Sequence, residues 1–144
     1  DFTSNYAESA GTGAIGGAIA ILHSSSNTLP NEGVGDVKGN FTNNHAEATG
    51  TGYAQGGAIY NTIDNGITTI NSNFTDNYAK STTGVVQGGA IYTSADLTIV
   101  ADDGTSLFSG NYVEDKDGKR PEAIYVAGNK NLTLDAKNNG KFYT

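Results

Sequence analysis

The stretch that decides the fold runs from Phe74-Thr75-Asp76-Asn77-Tyr78-Ala79 to Gly88-Gly89-Ala90-Ile91-Tyr92. Both of its ends recur along the chain. Phe-x-x-Asn occurs as Phe2/Asn5, Phe41/Asn44, Phe74/Asn77 and Phe108/Asn111, and Phe142 opens a fifth, truncated copy. Gly-Gly-Ala-Ile occurs at Gly16–Ile19, Gly56–Ile59 and Gly88–Ile91, and Pro121-Glu122-Ala123-Ile124 is a worn fourth copy. Tyr60, Tyr92 and Tyr125 follow this motif, with Ala20 in the first copy. A looser pattern lies between the two: Ile67-Thr68-Thr69-Ile70, Leu97-Thr98-Ile99 and Leu132-Thr133-Leu134. Successive phenylalanines are 39, 33, 34 and 34 residues apart. A near-constant period of this size marks a repeat architecture.

Each motif is short, β-branched or aromatic, and bounded by Gly, Asn, Asp or Ser, which reads as strand. No segment keeps a 3.6-residue period. Three short strands per period of about 33 residues make a triangular coil. Coils stacked about 4.8 Å apart place each strand beside its own copy. The fold expected is therefore all-β, a right-handed parallel β-helix of about four coils, the hand following the rule for parallel crossovers. The repeats fall near 1–39, 40–72, 73–106 and 107–141 in a single domain. Glu8–Ile15, Glu47–Gln55, Lys80–Gln87 and Glu114–Arg120 read as the loops of one face.

Stacking assigns roles to the repeated residues. Phe2, Phe41, Phe74, Phe108 and Phe142 form one inward aromatic column, and Ile19, Ile59, Ile91 and Ile124 an aliphatic one. Ile67, Leu97 and Leu132 line the third face, with Thr68, Thr98 and Thr133 alternating outward. Asn5, Asn44, Asn77 and Asn111 sit where the chain leaves a strand; Asn tolerates left-handed turns and bonds nearby backbone. Stacked, they make an amide ladder. Gly17, Gly57 and Gly89 are repeat corners where a Cβ would collide with the neighbouring coil.

Composition removes several classes of function. The 144 residues hold 20 Gly, 17 Thr and 16 Asn, poor helix formers, and no Cys, so disulfides, Cys-ligated zinc and thiol catalysis are out. No apolar run approaches 18 residues, so the segment does not insert in a membrane as a helix. The net charge of −7 disfavours nucleic acid as a partner. Charge is uneven: residues 1–115 carry 12 acids against 2 bases, a net of −10, and residues 116–144 carry 3 acids against 6 bases, a net of +3. With no Met at Asp1 and no signal peptide, the chain reads as a segment of a longer exported protein.

No catalytic constellation stands out, and no metal or cofactor is expected. Glycoside hydrolysis needs two facing carboxylates. The acids are scattered, and only Asp115, Asp117, Lys119 and Arg120 resemble a calcium or lyase set; Asp117-Gly118 is equally a turn signal. His23 and His45 lack a third ligand. His45 stands where Tyr6, Tyr78 and Tyr112 stand in the other repeats, a surface or loop substitution. The first period is the longest, and its excess, Leu22–Gly39, holds His23, Ser24, Ser25, Ser26 and Asn31. A polar insertion on a solenoid is the candidate loop for contacting a partner.

The motifs, in this order, resemble the repeats of polymorphic outer-membrane proteins and are similar to passenger domains of type V autotransporters of Gram-negative bacteria. The resemblance spans almost the whole chain. It implies a β-helix held outside the cell, anchored in the outer membrane through another part of the protein, with adhesion as the common role. A chain without Cys suits export in an unfolded state, since a periplasmic disulfide would obstruct it. The function expected is a non-catalytic stalk and adhesin whose partner is a surface receptor, a glycan or a neighbouring cell, with self-association open. The competing readings are a carbohydrate-active β-helix enzyme and a pure scaffold.

Overall fold

The computed structural model describes residues 1–22, 36–63 and 67–144. They form a parallel β-helix. Strands stack in columns on their own copies, and nearly all pairing is parallel and in register. The first column joins Phe2–Thr3, Asn40–Thr42, Asn73–Thr75, Thr105–Ser109 and Lys141–Tyr143. The second joins Tyr6–Ser9, His45–Ala48, Tyr78–Ser81 and Tyr112–Asp115. A third holds Gly13–Ile15, Tyr53–Gln55 and Val86–Gln87. The fourth holds Ile19–Ile21, Ile59–Asn61, Ile91–Thr93 and Ile124–Val126, and the fifth Ile67–Ile70, Leu97–Asp102 and Leu132–Lys137.

A coil therefore carries up to five strands, where the sequence pattern predicts three. The two extra columns lie in segments that read as loops because Ala, Glu, Gly and Ser dominate them. Small residues are what a narrow corner of the coil requires. Ala46, Ala48, Ala54, Ala79, Val86 and Val113 are buried there and form a second core cluster. The main core holds Phe41, Phe74, Ile59, Ile91, Ile67, Leu97 and Ile99, all buried.

The phenyl rings of Phe2, Phe41, Phe74 and Phe108 stack with centroids 4.7–4.8 Å apart. Phe142 does not join them. It pairs with Ser106, two residues before Phe108. Two differences add up. The turn between the fifth-column and first-column strands is Asp103-Gly104 in one coil and the longer Asn138-Asn139-Gly140 in the next. Phe142 also lies five residues after Lys137, where Phe108 lies six after Asp102, the register partner of Lys137. Phe142 still packs against the main core.

The left-handed residue of Phe-x-x-Asn is not the Asn but the one before it. Ser4, Asn43, Asp76 and Gly110 have φ of 55°, 54°, 54° and 65°. That turn swings the following Asn inward. Asn44 and Asn77 are fully buried, and the expected amide ladder is present. The Nδ2 of Asn5 donates to Asn44 Oδ1, that of Asn44 to Asn77 Oδ1, and that of Asn77 to Asn111 Oδ1, each at 2.9 Å. The same oxygens accept backbone N–H groups, and each Nδ2 of Asn44, Asn77 and Asn111 also donates to a Phe carbonyl one coil back.

The two glycines of the corner do different work. Gly16, Gly56 and Gly88 take positive φ. The second ones meet the next coil: a Cβ on Gly57 would lie 2.1 Å from the Gly89 carbonyl oxygen. In the last copy Glu122 adapts the corner. Its Oε1 accepts from Gly88 N–H at 2.8 Å, where Gln55 and Gln87 serve the equivalent glycines with backbone carbonyls.

Candidate functional site

With the inward positions committed to stacking, chemistry is left to the outward ones. On the second column the outward residues form two adjacent rows. One is aromatic: Tyr6, His45, Tyr78 and Tyr112 stack with centroids 5.4, 4.6 and 5.0 Å apart. The other is charged: Glu8, Glu47, Lys80 and Glu114 are register partners in successive strands. Lys80 Nζ lies 3.0 Å from Glu47 Oε1. A second aromatic row, Tyr60, Tyr92 and Tyr125, runs along the fourth column with centroids 5.0 and 5.7 Å apart.

His45 is thus a rung of a ring ladder, not a loop residue. Nothing hydrogen-bonds its Nδ1 among the described residues. Burial between two rings lowers its pKa below 6.5, against the opposing pull of Glu47 and Glu8. Burial likewise raises the phenols of Tyr60, Tyr78, Tyr92 and Tyr112 above 10. The hydrogen bond to Glu47 raises Lys80. The face therefore presents neutral hydroxyls beside fixed charges at neutral pH. Parallel stacking hides the ring faces and leaves the ring edges outward.

The segment Glu114–Arg120 is a hairpin. Gly118–Pro121 turns back antiparallel on Tyr112–Asp115, pairing Glu114 with Lys119 and Tyr112 with Pro121. It covers the edge that a further parallel strand of this column would use. Lys119 Nζ sits 3.4 Å from the centre of the Tyr112 ring. Asp115 is occupied internally: one oxygen accepts from Arg120 and the other from Asp117 N–H at 2.9 Å. Those bonds, Arg120 first, lower its pKa. Asp117 pairs with Lys116 at 2.6 Å. Among the described residues no three His, Asp or Glu side chains converge as a metal site.

A cavity of about 720 Å³ opens beside Phe108 and Asn111 and is also lined by Tyr112, Lys119 and Glu122. His23, Ser24, Ser25, Ser26 and Asn31 lie outside the described residues. The ladder residues and repeat corners occupy structural positions, as the sequence pattern implies. The charged row was not singled out in sequence. The spacing of Glu8, Glu47, Lys80 and Glu114 by one period each could have shown it.

Two segments, residues 39–62 and 71–94, match the Chlamydia polymorphic membrane protein repeat. Comparison with curated proteins and with solved structures gave no significant match. The matched segments span the Phe-x-x-Asn and Gly-Gly-Ala-Ile motifs of the second and third coils. The match points to a surface, autotransporter-type passenger segment.

Proposed function

We propose that the chain is a non-catalytic segment of a bacterial surface passenger, serving as stalk and adhesin outside a Gram-negative cell and anchored through another part of the protein. The observation that carries this reading is the division of labour across each strand. Inward residues are spent on coil-to-coil stacking, as in other solenoids, and outward residues form continuous aromatic and charged rows. Such rows suit a large partner, a receptor, a glycan or a neighbouring cell, better than a small substrate. The polymorphic membrane protein match supports the surface location.

The test is adhesion. Beads coated with the chain should bind cells or a glycan array more than beads coated with a β-helix lacking the outward rows. Changing Tyr78 and Tyr112 to Ser should reduce that binding while strand content is kept. Equal binding by both would remove the adhesive role and leave a scaffold. The enzymatic alternative is decided by screening acidic and neutral polysaccharides. Turnover abolished by Asp115→Asn or Asp117→Asn would reverse the proposal.

A further inference from the structure

The hairpin adds one charge to the outward row of the second column, and this changes what the row can recognise. Glu47, Lys80 and Glu114 are register partners in successive parallel strands. Lys119 is the cross-strand partner of Glu114 on the returning strand, with its amine over the Tyr112 ring on the same face. Glu8 adds one minus before Glu47, and from Glu47 onward the row reads minus, plus, minus, plus along the axis. Reversed, that pattern becomes plus, minus, plus, minus. The aromatic row beside it holds His45, Tyr78 and Tyr112, with Pro121 opposite Tyr112.

We infer that this face is a self-complementary docking surface for a second copy of the chain, related by a two-fold axis with the two rods antiparallel. In that register Glu47 meets Lys119 of the second copy and Lys80 meets its Glu114, and each contact occurs twice. The aromatic rows then meet as Tyr78 against Tyr112. An isologous contact requires a patch that reads as its own complement, and this one does. The charges also reject wrong registers. A slip of one coil in one direction sets Glu47 against Glu114 and Lys80 against Lys80, and these like pairs outnumber the Glu8–Lys119 contacts it gains. A slip in the other sets Lys80 against Lys119. Like charges brought together in this way are a device of specificity. The four charges that meet in this register cancel, while the whole chain carries −7, so this part of the row escapes the repulsion that keeps other faces apart. Glu8, in the first coil, lies beyond the end of the second copy's row.

One sheet face of this size falls below the ~800 Å² per partner of a standard stable interface, so the contact is weak and reversible for single chains. Sedimentation equilibrium of the chain over a concentration series, up to its solubility limit, should show a monomer–dimer equilibrium that weakens as salt rises, because the pairs are partly exposed. Two variants test the register. Lys80→Glu with Lys119→Glu makes the four meeting positions wholly acidic, and Glu47→Lys with Glu114→Lys makes them wholly basic. Each alone should be at least tenfold weaker in self-association. Mixed in equal amounts, they should form a one-to-one dimer. A monomeric wild-type chain, or variants that associate as the wild type does, would overturn the inference. If a variant loses its strand signal in circular dichroism, the neutral quadruple change of Glu47, Lys80, Glu114 and Lys119 to Gln replaces it. Undiminished dimerisation of that variant would be equally fatal.

Discussion

Asn77 makes its amide a two-way connector. Its Oδ1 accepts both the backbone N–H and the Nδ2 of Asn44 at 2.9 Å, while its own Nδ2 donates to Asn111 Oδ1 at 2.9 Å and to the Phe41 carbonyl. A fully buried side chain with all these bonds made is costly to replace, because its partners cannot reach water. Asn77→Ala should lose the bonds and strand buried groups on both neighbours, each worth about 1–3 kcal/mol. Asn5→Ala, at the exposed end of the ladder, should lose less. Urea unfolding of the two variants measures the difference, and equal losses would mean that the ladder does not couple the coils.

The phenyl column gives a second contrast. Phe74 is buried between the rings of Phe41 and Phe108. Phe74→Ala should cost about 3–5 kcal/mol, the usual range for a buried aromatic truncation. Phe142, displaced to pair with Ser106 and outside the stack, should cost clearly less when changed to Ala. Thermal or urea midpoints with unchanged slopes would record this.

Corner glycines can be separated from turn glycines. Gly57→Ala drives a Cβ into the Gly89 and Tyr78 carbonyl oxygens, both backbone atoms that cannot swing aside. Overpacking of this kind costs about 1–3 kcal/mol or more. Gly118→Ala, in the hairpin turn, meets nothing within 4 Å and has only its φ of 110° to strain it. Its loss should be the smaller one. A folded, unperturbed Gly57→Ala variant in the same assay would show that the coils have room to part.

His45 should give the fold a pH dependence of known sign. Its pKa is lowered in the folded state, chiefly by burial. A depressed folded pKa contributes stability that is complete above the unfolded value near 6.5 and is lost as pH falls through it towards the folded value. His45→Tyr restores the residue that the other coils carry and should remove that decline. His23 is common to both proteins, so the difference in their stability profiles between neutral and mildly acidic pH reports His45 alone. Parallel profiles would show that the ring is not held neutral by its neighbours.

Repetition made the columns legible from sequence. Once Phe, Asn, Ile and Gly-Gly recur at a constant period, only in-register parallel stacking brings like to like, so the amide ladder, the phenyl stack and the glycine contacts follow from the chain itself. The resemblance to polymorphic membrane protein repeats rested on the same residues. What tertiary structure decided lies where repetition is weak or broken. Alanines became core in two further columns because a narrow corner admits little else, and alanine carries no strand signal. A turn one residue longer before Lys141, together with one residue fewer between Lys137 and Phe142 than between Asp102 and Phe108, moved Phe142 two places out of its column, a shift that the spacing between phenylalanines does not record. The turn at Asp115–Gly118 became a hairpin that folds back on its own column, and so placed Lys119 beside Glu114. That neighbour is set by an antiparallel pairing inside one repeat, which the period between repeats does not encode.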